Sequence, residues 1–203
     1  LFRQTAAMLL TARHLGEPVD HYEFAQHPVQ QRIRQTFEEV VGISLEGSIP
    51  GIDGCSVPNW RLPLDRLATA FARLVCGEGL GEARHQAVDR VLSACWAEPE
   101  LVAGRGRFDT EILTRFPSDV FIKAGAEGVY CGGIRSRGIG FAVKIEDGAK
   151  RAAETAVRAI LAHFVPEAGD LRQPVVLHNA AGIAVGDVRP GPSLKTVLHG
   201  ISS

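Results

Sequence analysis

The stretch Gly51-Ile52-Asp53-Gly54-Cys55-Ser56-Val57-Pro58-Asn59 sets a carboxylate and a thiol between glycines. Glycine lets a backbone approach a ligand closely, so this is the composition of a site loop. Pro58 stiffens the exit, and Asn59 can hydrogen-bond its neighbours and start the helix that follows. Residue types alone leave a second reading equally open. A polar turn around a buried cysteine has the same composition, because free cysteine often packs as a small hydrophobe.

The other metal-competent and nucleophilic residues are dispersed. Four cysteines, Cys55, Cys76, Cys95 and Cys131, form no CxxC pair, which excludes a zinc ribbon and a thioredoxin-type site. Cys76 and Cys95 fall on apolar faces of predicted helices and are read as buried thiols. The seven histidines form no HExxH, and His14, His21 and His85 are read as surface or helix-end residues. A formal net charge of -1 gives no basic footprint for nucleic acid and no polybasic membrane patch. The early apolar cluster of residues 6–10 stops at Arg13, too short for a signal peptide or a span. The chain reads as cytoplasmic and reduced, with a small-molecule partner and a homo-oligomer left open.

The elements that must position the loop begin with a helix over residues 5–14, ended by Gly16 and the Glu17-Pro18 step. A second helix, with Pro28 in its first turn, carries Val29, Ile33, Phe37 and Val40 at helical spacing and closes at Gly42. After the loop, Leu64, Leu67, Phe71 and Leu74 predict the buried stripe of a helix entered at Pro63. Ala87, Val91, Leu92 and Cys95 do the same for a fourth, closed by Glu98-Pro99. Beyond Pro117 the period changes to short β-branched and aromatic runs at 120–123, 128–131 and 139–145, which predict an antiparallel meander. Asp147 is expected to cap an alanine-rich helix reaching Phe164, with Ala153, Ala156, Val157, Ile160 and Leu161 on the sheet. Past Pro166 the chain reads as loop with one extended piece at 174–177. The predicted class is α+β in a single domain over 1–203: mainly helical over 1–116, sheet plus helix over 117–189, and a tail over 190–203.

The run from Gly51 through Pro63-Leu64-Asp65-Arg66-Leu67-Ala68 resembles the GIDGCxxPxxxxPLxxLAxAFA hallmark of the bacterial L-asparaginase II family, the thermolabile Rhizobium-type enzymes. Two further blocks, Leu101 to Thr110 and Lys123 to Cys131, are similar to family blocks and follow in the family's order, so the resemblance covers about residues 6–189. It implies a serine β-lactamase or penicillin-binding-protein-like fold, in which a Lys-[Ser/Thr]-Gly strand lines the site. Lys123-Ala124-Gly125 occupies that place here. It implies amide hydrolysis, L-asparagine and water to aspartate and ammonia, by a serine nucleophile, a lysine of lowered pKa and fixed oxyanion donors. Carried over by position, Lys123 is the catalytic candidate, beside the bland reading of a solvated strand lysine. Asp53 orients the substrate amine, and Gly54, Cys55, Arg105, Gly125 and Glu127 complete the substrate-binding set. Arg105 and Ala124 depart from the Gly-Thr-Gly and Lys-Gly-Gly of the family blocks, which alters pocket polarity.

The resemblance also names parts that this chain does not contain. No Ser-x-x-Lys occurs, and the nearest serines, Ser44, Ser48 and Ser56, have no lysine three residues on. The family's Cys-Ser-Gly-Lys-His block falls on Leu1-Phe2-Arg3-Gln4-Thr5, so Leu1 stands for a zinc-ligating cysteine and Gln4 for a lysine. The codons C-TGT-TCC-GGC-AAA-CA, read from their first C, encode Leu-Phe-Arg-Gln-Thr. The expectation is therefore an N-terminally truncated member that starts out of frame and returns to frame near Ala6. Zinc belongs to intact members; with Cys55 alone left of the ligands, no metal or other cofactor is expected for this chain. A non-catalytic remnant, binding an amino acid or another subunit, is the alternative function, and a serine β-lactamase-like hydrolase the third.

Overall fold

The computed structural model describes residues 2–201, with side chains from residue 4; Leu1, the position of the expected cysteine, lies outside them. The chain divides into two compact units, Leu1–Arg66 and Leu67–Ser203.

In the first unit, α1 (Phe2–His14) and α2 (Pro28–Val41) are joined by a turn-rich segment. Proline suits the start of α2 because its missing N–H would be unbonded there anyway. His27 caps that helix, its Nδ1 accepting from Val29 N–H at 3.2 Å, and Gly42 ends it at φ 72 with its N–H on the Glu38 carbonyl. Buried Gln30 is satisfied by the Tyr22 carbonyl at 2.8 Å. The site loop follows as a small hairpin, β1 (Gly51–Ile52) against β2 (Pro58–Asn59).

The second unit is built on a three-stranded antiparallel sheet, β3 (Val120–Ala124), β4 (Val129–Ile134) and β5 (Ile139–Lys144), in that order. Its residues alternate between two apolar layers. Val120, Ile122, Tyr130, Ile134 and Phe141 join Val157 and Leu161 of α7 (Lys150–Phe164) in the larger core. Phe121 faces the other way, onto the cluster of Val75, Leu92, Trp96 and Leu113. That second layer comes from α3 (Leu64–Cys76), α4 (Glu82–Ala97) and α6 (Phe108–Arg115), with the short α5 (Pro99–Ala103) between the last two. Trp96 Nε1–H donates to the Val120 carbonyl at 2.8 Å and fastens α4 to the sheet.

A cross-strand glycine pair, Gly133 opposite Gly140, decides how α3 docks. A Cβ on Gly140 would lie 2.0 Å from the Ala68 carbonyl oxygen, and one on Gly133 2.7 Å from Val75. The helix backbone therefore rests on bare sheet backbone, with small Ala68 and Ala72 at the contact.

Four expectations need correction here. The stripes of α3 and α4 are shifted: Leu64 and Val91 are 44% and 62% exposed and Ala87 is exposed, while Ala70, Val75 and Trp96 are buried along with Leu92, which is buried as expected. The glycine pair explains the first case, since it accepts alanines where the periodicity placed leucine. On α4 the inward positions are Val88, Leu92 and Trp96, four residues apart. Asp147 is not the cap of α7; its Oδ1 holds Ala149 N–H at 2.9 Å one turn earlier, and Ala149 is the N-cap residue. Past Pro166 the expected extended piece is β6 (Val175–His178), but the chain around it is ordered structure as well: a 3₁₀ helix (Pro166–Arg172) burying Ala168 and Leu171, a hairpin partner β7 (Ala184–Val188), and α8 (Pro192–Ile201). Leu198 of α8 reaches the larger core, so the tail is a packed element.

Candidate active site

The loop of residues 51–59 is held by its own carboxylate. Asp53 Oδ1 accepts from Cys55 N–H at 2.7 Å and Val57 N–H at 3.3 Å, and Asp53 N–H donates to the Val57 carbonyl at 3.1 Å. This is an Asx turn, the local alternative that aspartate offers a backbone. The residue in the left-handed region is Ser56, at φ 67, and not Gly51 or Gly54. Asn59 lies in β2, so the helix starts later, at Leu64. Asp53 Oδ2 takes no part in these two bonds.

Cys55 is half-buried, and its thiol donates to Gln4 Oε1 at 3.8 Å. The structure thus brings Gln4, which stands for a lysine of the family's block, against Cys55, the one cysteine left of the ligands that the resemblance implies. The donors present are a thiol and a neutral amide oxygen. Zinc is held by several thiolate, imidazole or carboxylate ligands, and among the described residues no group of three such side chains could hold a metal. The residues do not fit zinc.

Lys123 sits on β3 with its Cα opposite Cys131. The strand's alternation buries Val120 and Ile122 and leaves Lys123 exposed, its ammonium donating to the Ala124 carbonyl at 2.6 Å. Cys131 beside it is 4% exposed, and burial pushes its thiol up to about 11. The turn beyond is tight. Gly125 N–H bonds the Val129 carbonyl at 2.8 Å, Glu127 adopts φ 52, and its carbonyl accepts from the Lys144 ammonium. At Gly128, φ is +68 and a Cβ would meet Ile145 at 2.9 Å, so glycine is required on both counts.

One residue that sequence reasoning passed over fixes this strand end. Asp109, in the first turn of α6, is 1% exposed. Its Oδ1 accepts from Ala124 N–H and its Oδ2 from the Tyr130 hydroxyl, both at 2.7 Å. Burial and then this bond push the Tyr130 hydroxyl far above its usual range. The carboxylate ties α6 to the peptide directly after Lys123. The signal in the sequence was slight: an acid one residue into a helix, inside the block from Leu101 to Thr110.

Arg105 occupies the turn between α5 and α6, 87% exposed at the side chain and paired with Glu100 at 3.4 Å. The candidate residues therefore gather in three places. Asp53, Gly54 and Cys55 share the hairpin of the first unit. Lys123, Gly125 and Glu127 share the β3–β4 hairpin of the second unit, and Arg105 stands on its helical turn. Cys76 and Cys95 are half-buried instead of fully buried, and burial raises both thiols, which makes them poor nucleophiles at neutral pH.

No helix among the described residues is long and apolar enough to cross a membrane. None of the curated proteins searched matches the chain. The family model described as L-asparaginase II matches residues 5–190, which takes in the Asp53 hairpin, the Asp109 helix and the Lys123 strand. With nearly its whole length inside that match, the chain belongs to the L-asparaginase II family.

Proposed function

We propose that this chain provides the substrate-binding and proton-transfer parts of an amidohydrolase that converts L-asparagine and water to L-aspartate and ammonia. The family match carries the reading. Asp53 holds the substrate's α-ammonium through a charge-assisted hydrogen bond. Lys123 moves a proton or stabilises the charge that develops on the attacked amide. Gly54, Cys55, Arg105, Gly125 and Glu127 shape the remainder of the substrate's surroundings. The serine β-lactamase-like form of the fold is part of the proposal, supported by a Lys-x-Gly strand in an antiparallel sheet with helices on both faces. Free cysteines support a reducing, cytoplasmic setting.

The 203 residues contain no Ser-x-x-Lys pair, so no serine here has the neighbour that would activate it in that chemistry. The same fact favours a second reading, a module that binds asparagine without turning it over. An ammonia-release assay on the purified chain, alone and joined to a segment carrying the Ser-x-x-Lys and Cys-Ser-Gly-Lys-His blocks, tests both. The chain alone is expected to be silent and the joined protein active. Turnover by the chain alone at an ordinary enzymatic rate, roughly 1–10³ s⁻¹, refutes the assignment of the nucleophile. A joined protein that binds asparagine and never releases ammonia establishes the second reading.

A further inference from the structure

The edge of the sheet that carries Lys123 is closed by side chains instead of by another strand. In an antiparallel ladder, residues bonded to the neighbouring strand alternate with residues whose N–H and C=O point away from it. Gly125 N–H bonds the Val129 carbonyl and Arg135 N–H the Asp119 carbonyl, both at 2.8 Å, so the odd-numbered residues of this register bond β4. Val120, Ile122 and Ala124 therefore turn their peptide groups to the outer edge of β3, the first strand of the sheet. Trp96 closes that edge at the Val120 carbonyl, and Asp109 closes it at Ala124 N–H.

Ala124 is where this edge meets the Lys123 side chain. Its N–H donates to Asp109 Oδ1 at 2.7 Å, and its carbonyl accepts from the Lys123 ammonium at 2.6 Å. The peptide that carries this carbonyl is held in turn through Gly125 N–H to Val129. Both peptides flanking Ala124 are thus fixed, the first by a carboxylate that is 1% exposed and whose other oxygen accepts from the Tyr130 hydroxyl. A charged acceptor makes the stronger kind of hydrogen bond, and burial keeps water from replacing it. Without Asp109 the strand would end on an unpaired donor, and the carbonyl under the ammonium would lose its fixed place.

We propose that Asp109 is the positioning residue for Lys123: by fixing Ala124 it sets the point from which the ammonium acts. The inference rests on the proton-transfer role given to Lys123 above. Asp109 is buried and acts on the reaction only through that lysine.

The first test needs no turnover. In ¹H–¹³C NMR spectra of the 203-residue chain, the two ε protons of Lys123 should be inequivalent, as a fixed ammonium requires. In Asp109→Ala they should merge into one averaged signal, and Ala124 N–H should exchange about tenfold faster or more. Asp109→Asn, which keeps an acceptor, should restore both. If Asp109→Ala does not fold, Asp109→Ala with Tyr130→Phe takes its place, because it removes the phenol that the lost carboxylate would strand. A single averaged signal in the unaltered chain, or an inequivalent pair that survives loss of the carboxylate, overturns the proposal. The second test is kinetic, in the protein joined to the Ser-x-x-Lys segment. Asp109→Ala should lower kcat for L-asparagine roughly tenfold or more and change KM by less than about twofold. It should lower kcat no further once Lys123→Ala is present. Tyr130→Phe, which leaves the Ala124 bond in place, should keep kcat. An equal fall in the Lys123→Ala background would make Asp109 a purely structural residue and overturn the proposal. A joined protein that never releases ammonia with Asp109 intact defeats the amidohydrolase reading instead, and the spectra of the chain still decide the positioning.

Discussion

Gln4 and Cys55 meet as an amide oxygen and a thiol 3.8 Å apart, a pair that can share a proton but cannot replace water around a divalent cation. Protein purified in the presence of zinc and then dialysed should therefore hold far less than one zinc per chain by atomic emission. Cys55→Ala should leave that figure unchanged. A stoichiometric signal abolished by Cys55→Ala would show ligands outside this description. Asp109 makes a second prediction at this scale, because one buried carboxylate satisfies both a backbone N–H and a phenol. Asp109→Ala strands both groups, at about 1–3 kcal/mol each. Asp109→Asn, which keeps an acceptor for Ala124 N–H, should cost less. Urea midpoints order the three proteins, and an alanine variant as stable as the asparagine one would mean that water replaces the carboxylate.

At the scale of elements, the docking of α3 on the sheet rests on absent side chains. Gly140→Ala would place a methyl 2.0 Å from the Ala68 carbonyl oxygen, a clash with backbone that no rotamer relieves. The loss should reach about 1–3 kcal/mol or more, read as a lowered thermal midpoint, whereas Gly138→Ala meets open space and pays only for its φ of +64. This close approach is also why the stripe of α3 differs from its periodicity. Periodicity locates an apolar face by counting large residues, and it cannot see that a glycine pair on another element selects alanines. The meander was legible because β-branched runs between glycines have few other uses, and α2 because Pro28 and Gly42 punctuate both ends. Asp147 looked like a cap since Asx turns and N-caps use the same residue types. The helix Pro192–Ile201 was missed because the Pro/Gly cluster before it reads as the end of structure, while its docking residue, Leu198, lies six residues further on. At the site, motif blocks made the positions visible, but the bond from Asp109 to the strand spans fifteen residues and leaves no local pattern.

For the molecule as a whole, the buried acids of the sheet set an alkaline limit. The Cys131 thiol is raised from 9.0 to about 11 in the fold, and Tyr130 is raised as well, so both stay protonated after their unfolded counterparts have ionised. The unfolded chain then binds fewer protons than the folded one, and stability falls as pH rises. The contribution of Cys131 is intact below pH 9.0 and is lost as pH climbs through about 11, on the order of 2–3 kcal/mol in all. Thermal melts between pH 8 and 11 should show the decline, and Cys131→Ala should flatten part of it. The proposed function, which rests on the family match and the three sequence blocks, makes Lys123 the chemical centre of the binding and proton-transfer portion of an asparaginase. The measurement that tests this most directly is kcat for L-asparagine in the protein joined to a Ser-x-x-Lys segment, with and without Lys123→Ala. A fall on the order of 10² or more with unchanged circular dichroism is predicted; an unchanged kcat would make Lys123 a solvated strand residue and contradict the account.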